Sequence, residues 1–314
     1  MNVQAMNENL WPLRAAHASC LALIAAAALE ACAAANAATT VLDDAGRAVS
    51  LPHPARRIVS LAPSSTELLF AAGAGDRVIA TVEFSDEPPA ARRVPRIGDS
   101  NAVDFEQLIV LHPDVVVLWS GGNPSQAARV ASLHIPLYRE QVSALADLPA
   151  SVRRLGELTG TQDRAASSAA ALAAELAALR ARYSNRAPLS VLLQVWSHPI
   201  YTVGGTQLMS DSLRVCGARN IFEDLTALGP AVTVEAVLAR DPDVIVAAAP
   251  QSSAAEWLAE WRKFPHLKAV RADNLILFED PRFVRLGPSV LPATAALCTA
   301  LDAARARRGA AAAR

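Results

Sequence analysis

Val103-Asp104-Phe105-Glu106-Gln107-Leu108 runs on to His112-Pro113-Asp114-Val115-Val116-Val117, and the same message returns further along. There Val232-Thr233-Val234-Glu235-Ala236-Val237 runs on to Asp241-Pro242-Asp243-Val244-Ile245-Val246. The register holds throughout: Glu106 falls on Glu235, Pro113 on Pro242 and Val117 on Val246. Each copy reads as a short amphipathic helix, a Pro-Asp break and a strand apolar on both faces. Strands of that kind belong to parallel sheets covered on both sides. One lobe used twice is therefore expected, with a carboxylate carried at the same place on each copy. Two similar lobes leave a cleft between them, and a paired acidic surface implies a partner that reads both.

Working outward, residues 57–62 form a short apolar strand, and Pro63-Ser64-Ser65 turns the chain. Ser65 or Thr66 is placed to cap a helix through Ala72, which Gly73 ends. A strand at 78–82, a loop at 84–89, the first repeat, a helix opened by Pro124 and a strand at 135–138 complete one lobe. A second lobe restarts with a strand at 189–195, then a helix at 207–215 ended by Gly217, then the second repeat. A short helix at 256–262 bearing Trp257 and Trp261, a strand at 275–278 and a terminal helix from Gly287-Pro288 follow. This alternation specifies α/β lobes with parallel strands.

Between the lobes, residues 162–183 are rich in alanine, leucine and arginine and have the composition of a long stable helix. Leu172, Leu176 and Leu179 fall on one stripe of it. The fold expected is α/β: two Rossmann-like lobes with central parallel sheets, joined by one long rigid α-helix. The boundaries read as an N-terminal lobe over 39–158, the connecting helix over 159–187, a C-terminal lobe over 188–308 and a frayed tail over 309–314.

The chain has 314 residues, 52% of them hydrophobic, enough for two real cores. A formal net charge of −1 removes the electrostatic case for nucleic acid. Residues 1–38 read as a signal peptide: Arg14 precedes an apolar run, and Ala35-Asn36-Ala37 fits the A-x-A cleavage pattern. Met6 is an alternative start to Met1, and a second reading makes Cys32 a lipid-bearing cysteine. The mature chain keeps Cys216 and Cys298. In an exported protein such a pair suggests a disulfide worth roughly 4 kcal/mol, with two buried thiols as the alternative.

Parallel α/β sheets bind ligands beyond the carboxyl ends of their strands. The loops there carry Ser64, Phe84, Trp119, Trp196, Tyr201 and Arg285. Aromatic residues make up only 5% of the chain, so four of them in such loops point to a flat, partly apolar ligand. Arg285 and the serines would address its polar substituents. Enzyme signatures are lacking: there is no G-x-S-x-G elbow, no P-loop and no dinucleotide fingerprint, and no catalytic residue or cofactor is assigned. Gly73-Ala74-Gly75 resembles a fragment of the last, but it ends a helix rather than opening one. The six histidines show no metal-ligand spacing. His198, in a cleft loop, is the one candidate cobalt or iron ligand, against the commoner role of a polar loop histidine.

Several of these motifs resemble the periplasmic cobalamin-binding proteins. The resemblance lies in Arg57-Ile58-Val59-Ser60-Leu61-Ala62-Pro63-Ser64-Ser65-Thr66-Glu67, in Phe84-Ser85-Asp86-Glu87-Pro88-Pro89, in Trp119-Ser120-Gly121-Gly122-Asn123 and in Val215-Cys216-Gly217 through Asn220-Ile221-Phe222. These proteins belong to class III of the periplasmic binding proteins, which serve ABC importers of vitamin B12, haem and iron–siderophores. The resemblance implies a Cys216–Cys298 disulfide. It implies that Glu106 and Glu235 dock onto arginines of a membrane permease dimer worked by an ATPase, and that the free protein is monomeric. Phe84, Trp119 and Tyr201 match aromatic corrin contacts, Arg285 matches an arginine that addresses corrin amides, and Asp280 lies near the matching acidic position. Two corrin-facing tryptophans of the family fall on Ser100 and near Gly229, and Trp196 would replace part of that surface. Cobalamin or a related corrinoid is the ligand implied. The rivals are haem or a ferric siderophore, an exported corrinoid-modifying enzyme, and an adhesion or sensor module.

Overall fold

The computed structural model describes residues 38–99, 102–248 and 254–312. The expected signal peptide, Met6, Cys32 and Ser100 lie outside the described residues. Strands β1 (Thr39–Leu42) and β2 (Ala48–Leu51) form an antiparallel hairpin ahead of the first strand read from the sequence. Its Asp44 carboxylate accepts from Tyr138 Oη (2.8 Å), Ser151 Oγ (2.7 Å) and Arg154 Nε (2.7 Å), which pins the hairpin to the first lobe.

The N-terminal lobe holds β3 (Ile58–Ser60), helix α1 (Pro63–Ala71), β4 (Val78–Ala80), α2 (Phe105–Val110), β5 (Val115–Trp119), α3 (Pro124–Ser132) and β6 (Leu137–Glu140). Its sheet runs β4-β3-β5-β6, all parallel. Helices α4 (Leu148–Thr159) and α5 (Gln162–Tyr183) follow, separated at Gly160, whose φ of +68° turns the chain where a side chain would be strained.

The C-terminal lobe holds β7 (Leu189–Gln194), β8 (Ile200–Tyr201), α6 (Leu208–Val215), β9 (Ala218–Asn220), β10 (Ala231–Val232), α7 (Val234–Arg240), β11 (Val244–Ala248), α8 (Ala254–Trp261), α9 (Lys268–Arg271), β12 (Leu275–Phe278) and α10 (Val290–Ala312). Its sheet runs β9-β7-β11-β12, again all parallel. Numbering only the strands of each sheet in chain order, both lobes have the order 2-1-3-4, the duplication expected from the repeat.

The Pro-Asp step of the repeat has a mechanical purpose. Asp114 accepts from the backbone N–H groups of Arg56 (2.7 Å) and Arg57 (2.9 Å), while its own N–H reaches Arg57 O (2.8 Å). Asp243 accepts from Ser190 N (2.9 Å) and Ser190 Oγ (3.0 Å), and its N–H reaches Ser190 O (2.9 Å). Each aspartate therefore clamps the start of the neighbouring central strand. The residues before the two prolines, His112 (φ 43°) and Asp241 (φ 42°), share the same left-handed turn.

The first sheet-to-helix step departs from expectation. Helix α1 begins at Pro63 with Ala62 as its N-cap, and neither Ser65 nor Thr66 caps it. Proline is suited to the first helical turn because its missing N–H has no partner there. The hydroxyls that looked like caps are turned into the lobe instead. Thr66 Oγ1 donates to Ala62 O (3.0 Å), and Ser64 and Ser65 reach a buried carboxylate described below.

One apolar core runs through both lobes. It includes Ile58 and Val115 of the first sheet, Leu155 of α4, Ala169 and Leu176 of α5, Val191 and Val246 of the second sheet, and Leu297 of α10. The opposite face of each sheet has a separate cluster, around Leu108 and Val116 in one lobe and around Trp257 and Trp261 in the other. Cys216, the C-cap of α6, is bonded to Cys298 of α10 across 82 residues. Among the described residues no helix is long and apolar enough to cross a membrane.

Candidate ligand-binding site

A cavity of about 480 Å³ opens beyond the carboxyl ends of β3 and β5 and is closed on its far side by the segment after β12. The first lobe contributes Leu61, Ser64, Phe84, Leu118 and Trp119, and the second contributes Pro281, Val284, Arg285 and Leu286. The walls are mainly apolar, with polar groups at a few points, the usual character of a small-molecule site. Trp119 is the last residue of β5, and a Cβ at Gly121 would come within 2.4 Å of its indole. Glycine at 121 is what lets that ring lie against the turn. Phe84 sits at φ 64° and is 72% exposed, so its ring is held out from the body of the lobe. The next residue is fixed by Arg96 Nη2, which donates to Ser85 O (2.9 Å).

The site's charges are largely balanced. Arg285 lies between Asp86 (3.7 Å) and Glu87 (3.8 Å), both from the first lobe. Asp280 holds Arg282 through both carboxylate oxygens, and that hydrogen bonding keeps the Asp280 carboxyl below its usual range. Behind the wall, Glu140 at the end of β6 is completely buried. It accepts from Ser64 Oγ (2.8 Å), Ser65 Oγ (3.2 Å) and Val142 N (3.2 Å). Burial pushes its carboxyl up to about 7. Glu67 of α1 crosses to the other lobe and accepts from Ser289 N (3.0 Å); burial raises its carboxyl as well.

Ser64, Phe84, Trp119 and Arg285 are thus brought together around one cavity. Trp196 and Tyr201 stand outside its walls, on the C-terminal lobe. Trp196 is 50% exposed with its ring 6.0 Å from Trp257, and Tyr201 is 38% exposed where β8 pairs with β10. Asp280 adjoins the lining residue Pro281 but faces Arg282. His198 is exposed, between Ser197 Oγ (2.8 Å) and Glu260 (3.7 Å). Among the described residues no group of three or more metal-ligating side chains converges.

Glu106 and Glu235 are both exposed and both occupy the second position of their helices, α2 and α7. Each helix is capped by the residue two positions earlier: Asp104 accepts from Gln107 N (2.9 Å) and Thr233 from Ala236 N (3.2 Å). Glu235 is held below the usual carboxylate range by its own backbone N–H and by the Thr233 hydroxyl.

Two α/β lobes on a rigid helix, with an aromatic-walled cavity where they meet, define a solute-binding protein. The family model described as periplasmic binding protein matches residues 58–281, and the chain belongs to that family. It is 32% identical over 247 residues to the vitamin B12-binding protein of Photorhabdus laumondii, covering 78% of this chain and 88% of that one. It is 31% identical over 252 residues to the vitamin B12-binding protein of Yersinia pestis, covering 80% of this chain and 88% of the relative. The periplasmic vitamin B12-binding protein of Vibrio cholerae superposes with a TM-score of 0.72 at 29% identity, over 80% of this chain and 98% of that one. A periplasmic haem-binding protein of Roseiflexus sp. RS-1 shares the fold, with a TM-score of 0.67 at 24% identity over 79% of this chain and 98% of that one.

Proposed function

We propose that this protein is the exported solute-binding subunit of an ABC importer, capturing cobalamin or a related corrinoid between its lobes and delivering it to the membrane permease. The observation that carries the ligand assignment is the cavity itself. Phe84 and Trp119 offer aromatic faces to a flat macrocycle, and the Arg285 charge is offset by Asp86 and Glu87. Corrinoids bear neutral amide arms, whereas haem bears propionate carboxylates that call for an uncommitted cation. Binding without covalent chemistry agrees with a family of binding proteins. The vitamin B12-binding relatives support the same ligand.

The core shared by both lobes argues for a preformed cleft, with little closure on binding. Glu106 and Glu235, on matching helices, would each meet one subunit of a permease dimer. The test is titration of the purified protein with cyanocobalamin and, in parallel, haem, followed by calorimetry and visible absorption. Cobalamin is expected to give heat and a spectral shift. Trp119→Ala is expected to weaken binding about 30-fold, since burying such a ring contributes about 2 kcal/mol. Tight haem binding with no response to cobalamin would overturn the corrinoid assignment.

A further inference from the structure

Ser64 lines the cavity, yet its proton is directed away from it. Ser64 Oγ donates to Glu140 Oε2 over 2.8 Å, and Glu140 is a buried carboxylate with no route to solvent. The rest of the arrangement holds Glu140 in that role: Ser65 Oγ donates to the same oxygen, and the Val142 N–H occupies Oε1. A serine hydroxyl has one proton and two acceptor lone pairs. With Glu140 ionised and the serine proton engaged behind the wall, Ser64 presents the cavity with lone pairs alone. Across the cavity, Arg285 presents the opposite chemistry, since a guanidinium only donates.

Resting on the corrinoid reading, we infer that Ser64 is a specificity-determining acceptor, oriented by Glu140, that recognises an N–H donor such as a peripheral carboxamide and rejects a carboxylate at the same point. A carboxamide carries both a donor and an acceptor, so amide arms can satisfy Ser64 on one wall and Arg285 on the other. A carboxylate has acceptors only. Placed at Ser64 it meets lone pairs, with the Glu140 charge immediately behind them. The same site would therefore separate amidated macrocycles from their acid forms. Glu140 acts through Ser64 and is a positioning residue.

The experiment compares dicyanocobinamide, whose corrin arms are amides, with dicyanocobyrinic acid, whose arms are carboxylates, by calorimetry at pH 8.5. That pH lies above the value of about 7 to which Glu140 is pushed, so its carboxyl is ionised. The wild type is expected to favour the amide form. Ser64→Ala and Glu140→Gln are each expected to shrink that preference by about 10-fold, the scale of one hydrogen bond. Glu140→Gln acts because the glutamine amide can donate to Ser64 and release the serine proton toward the ligand. A role confined to bracing α1 against β6 would lower the melting temperature of both variants and leave the ratio unchanged, which overturns the inference. Should Glu140→Gln fail to fold, Ser64→Ala decides alone. A wild type that binds neither compound nor cyanocobalamin removes the corrinoid reading and this inference with it. A wild type that binds cyanocobalamin but does not separate the pair removes the inference alone.

Discussion

The two lobes share their framework and differ where they meet a ligand. Strand order, the aspartate clamp, the turn before each proline and the glutamate at the second helical position occur in both. The positions that differ are just as regular. Trp119 and Glu140 are register partners at the ends of β5 and β6; the corresponding partners on β11 and β12 are Ala248 and Phe278. The first lobe passes from β3 to α1 through residues 61–62, whereas the second inserts residues 195–207, with Trp196 and Tyr201, between β7 and α6. The helix ends are also fastened differently. Ala72 O accepts from Thr161 Oγ1 (2.6 Å), while Cys216 at the matching C-cap is covalently bonded to Cys298. What the lobes share is the scaffold and an exposed glutamate; what differs faces the cavity or secures one lobe.

The covalent fastening should produce the largest difference. Replacing Cys216 and Cys298 by alanine is expected to cost about 4 kcal/mol through the freed 82-residue separation. Thr161→Val in the other lobe should cost about 1 kcal/mol. Guanidinium unfolding midpoints measure both, and equal losses would erase the contrast.

The matched glutamates come next. Glu106→Ala with Glu235→Ala is expected to weaken docking on the permease by about 3 kcal/mol, each single change contributing about half. Ligand heats should be unaffected. Stimulation of the importer's ATPase reads the effect, and undiminished stimulation by the double variant would leave the pair without that purpose.

Glu140 should give its lobe a pH dependence that Phe278 does not give the other. Its carboxyl is raised from the unfolded value of 4.5 to about 7, so the folded state disfavours its ionised form. Stability from this group is complete below pH 4.5 and falls as pH rises to about 7, by on the order of 3 kcal/mol. Glu67 is shifted in the same direction. The slope lost in Glu140→Gln relative to wild type, measured by chemical unfolding from pH 4.5 to 8, therefore isolates Glu140. An unchanged slope would contradict its burial as a titrating group.

The aspartate clamps should show a smaller effect than the disulfide or Glu140 and the closest match between the lobes. Asp114→Ala and Asp243→Ala each orphan strand-end donors and are expected to cost about 2 kcal/mol. Asp243 should cost slightly more, because it also pairs with Arg308 (3.1 Å). A large gap between the two in thermal melts would mean that only one lobe depends on the clamp.

Much of this was legible from residue order alone. The repeat located β5 and β11, and the proline-free composition marked α5 over the same residues, 162–183, that the structure assigns. The loops at the strand ends were found because strand polarity determines which end of a sheet holds a ligand. Their side-chain directions were not legible, so Trp196 and Tyr201 were grouped with Phe84 and Trp119 although they do not line the same cavity. Glu140 was missed because the strand was read over residues 135–138, whereas it runs over Leu137–Glu140 and ends on the glutamate. The hydroxyls that permit its burial lie on a helix 75 and 76 residues earlier. The β1–β2 hairpin was missed for a similar reason: its anchor, Asp44, finds partners only in tertiary structure.

The continuous core through α5 separates likeness of plan from mechanical independence. The two lobes repeat one plan, but they are not interchangeable cassettes. Cutting the chain between them would strip the inward faces of both sheets and strand Leu176 and Tyr183 in water. Chimeras that graft one half onto a foreign counterpart would have to import the joining rod and its neighbours together.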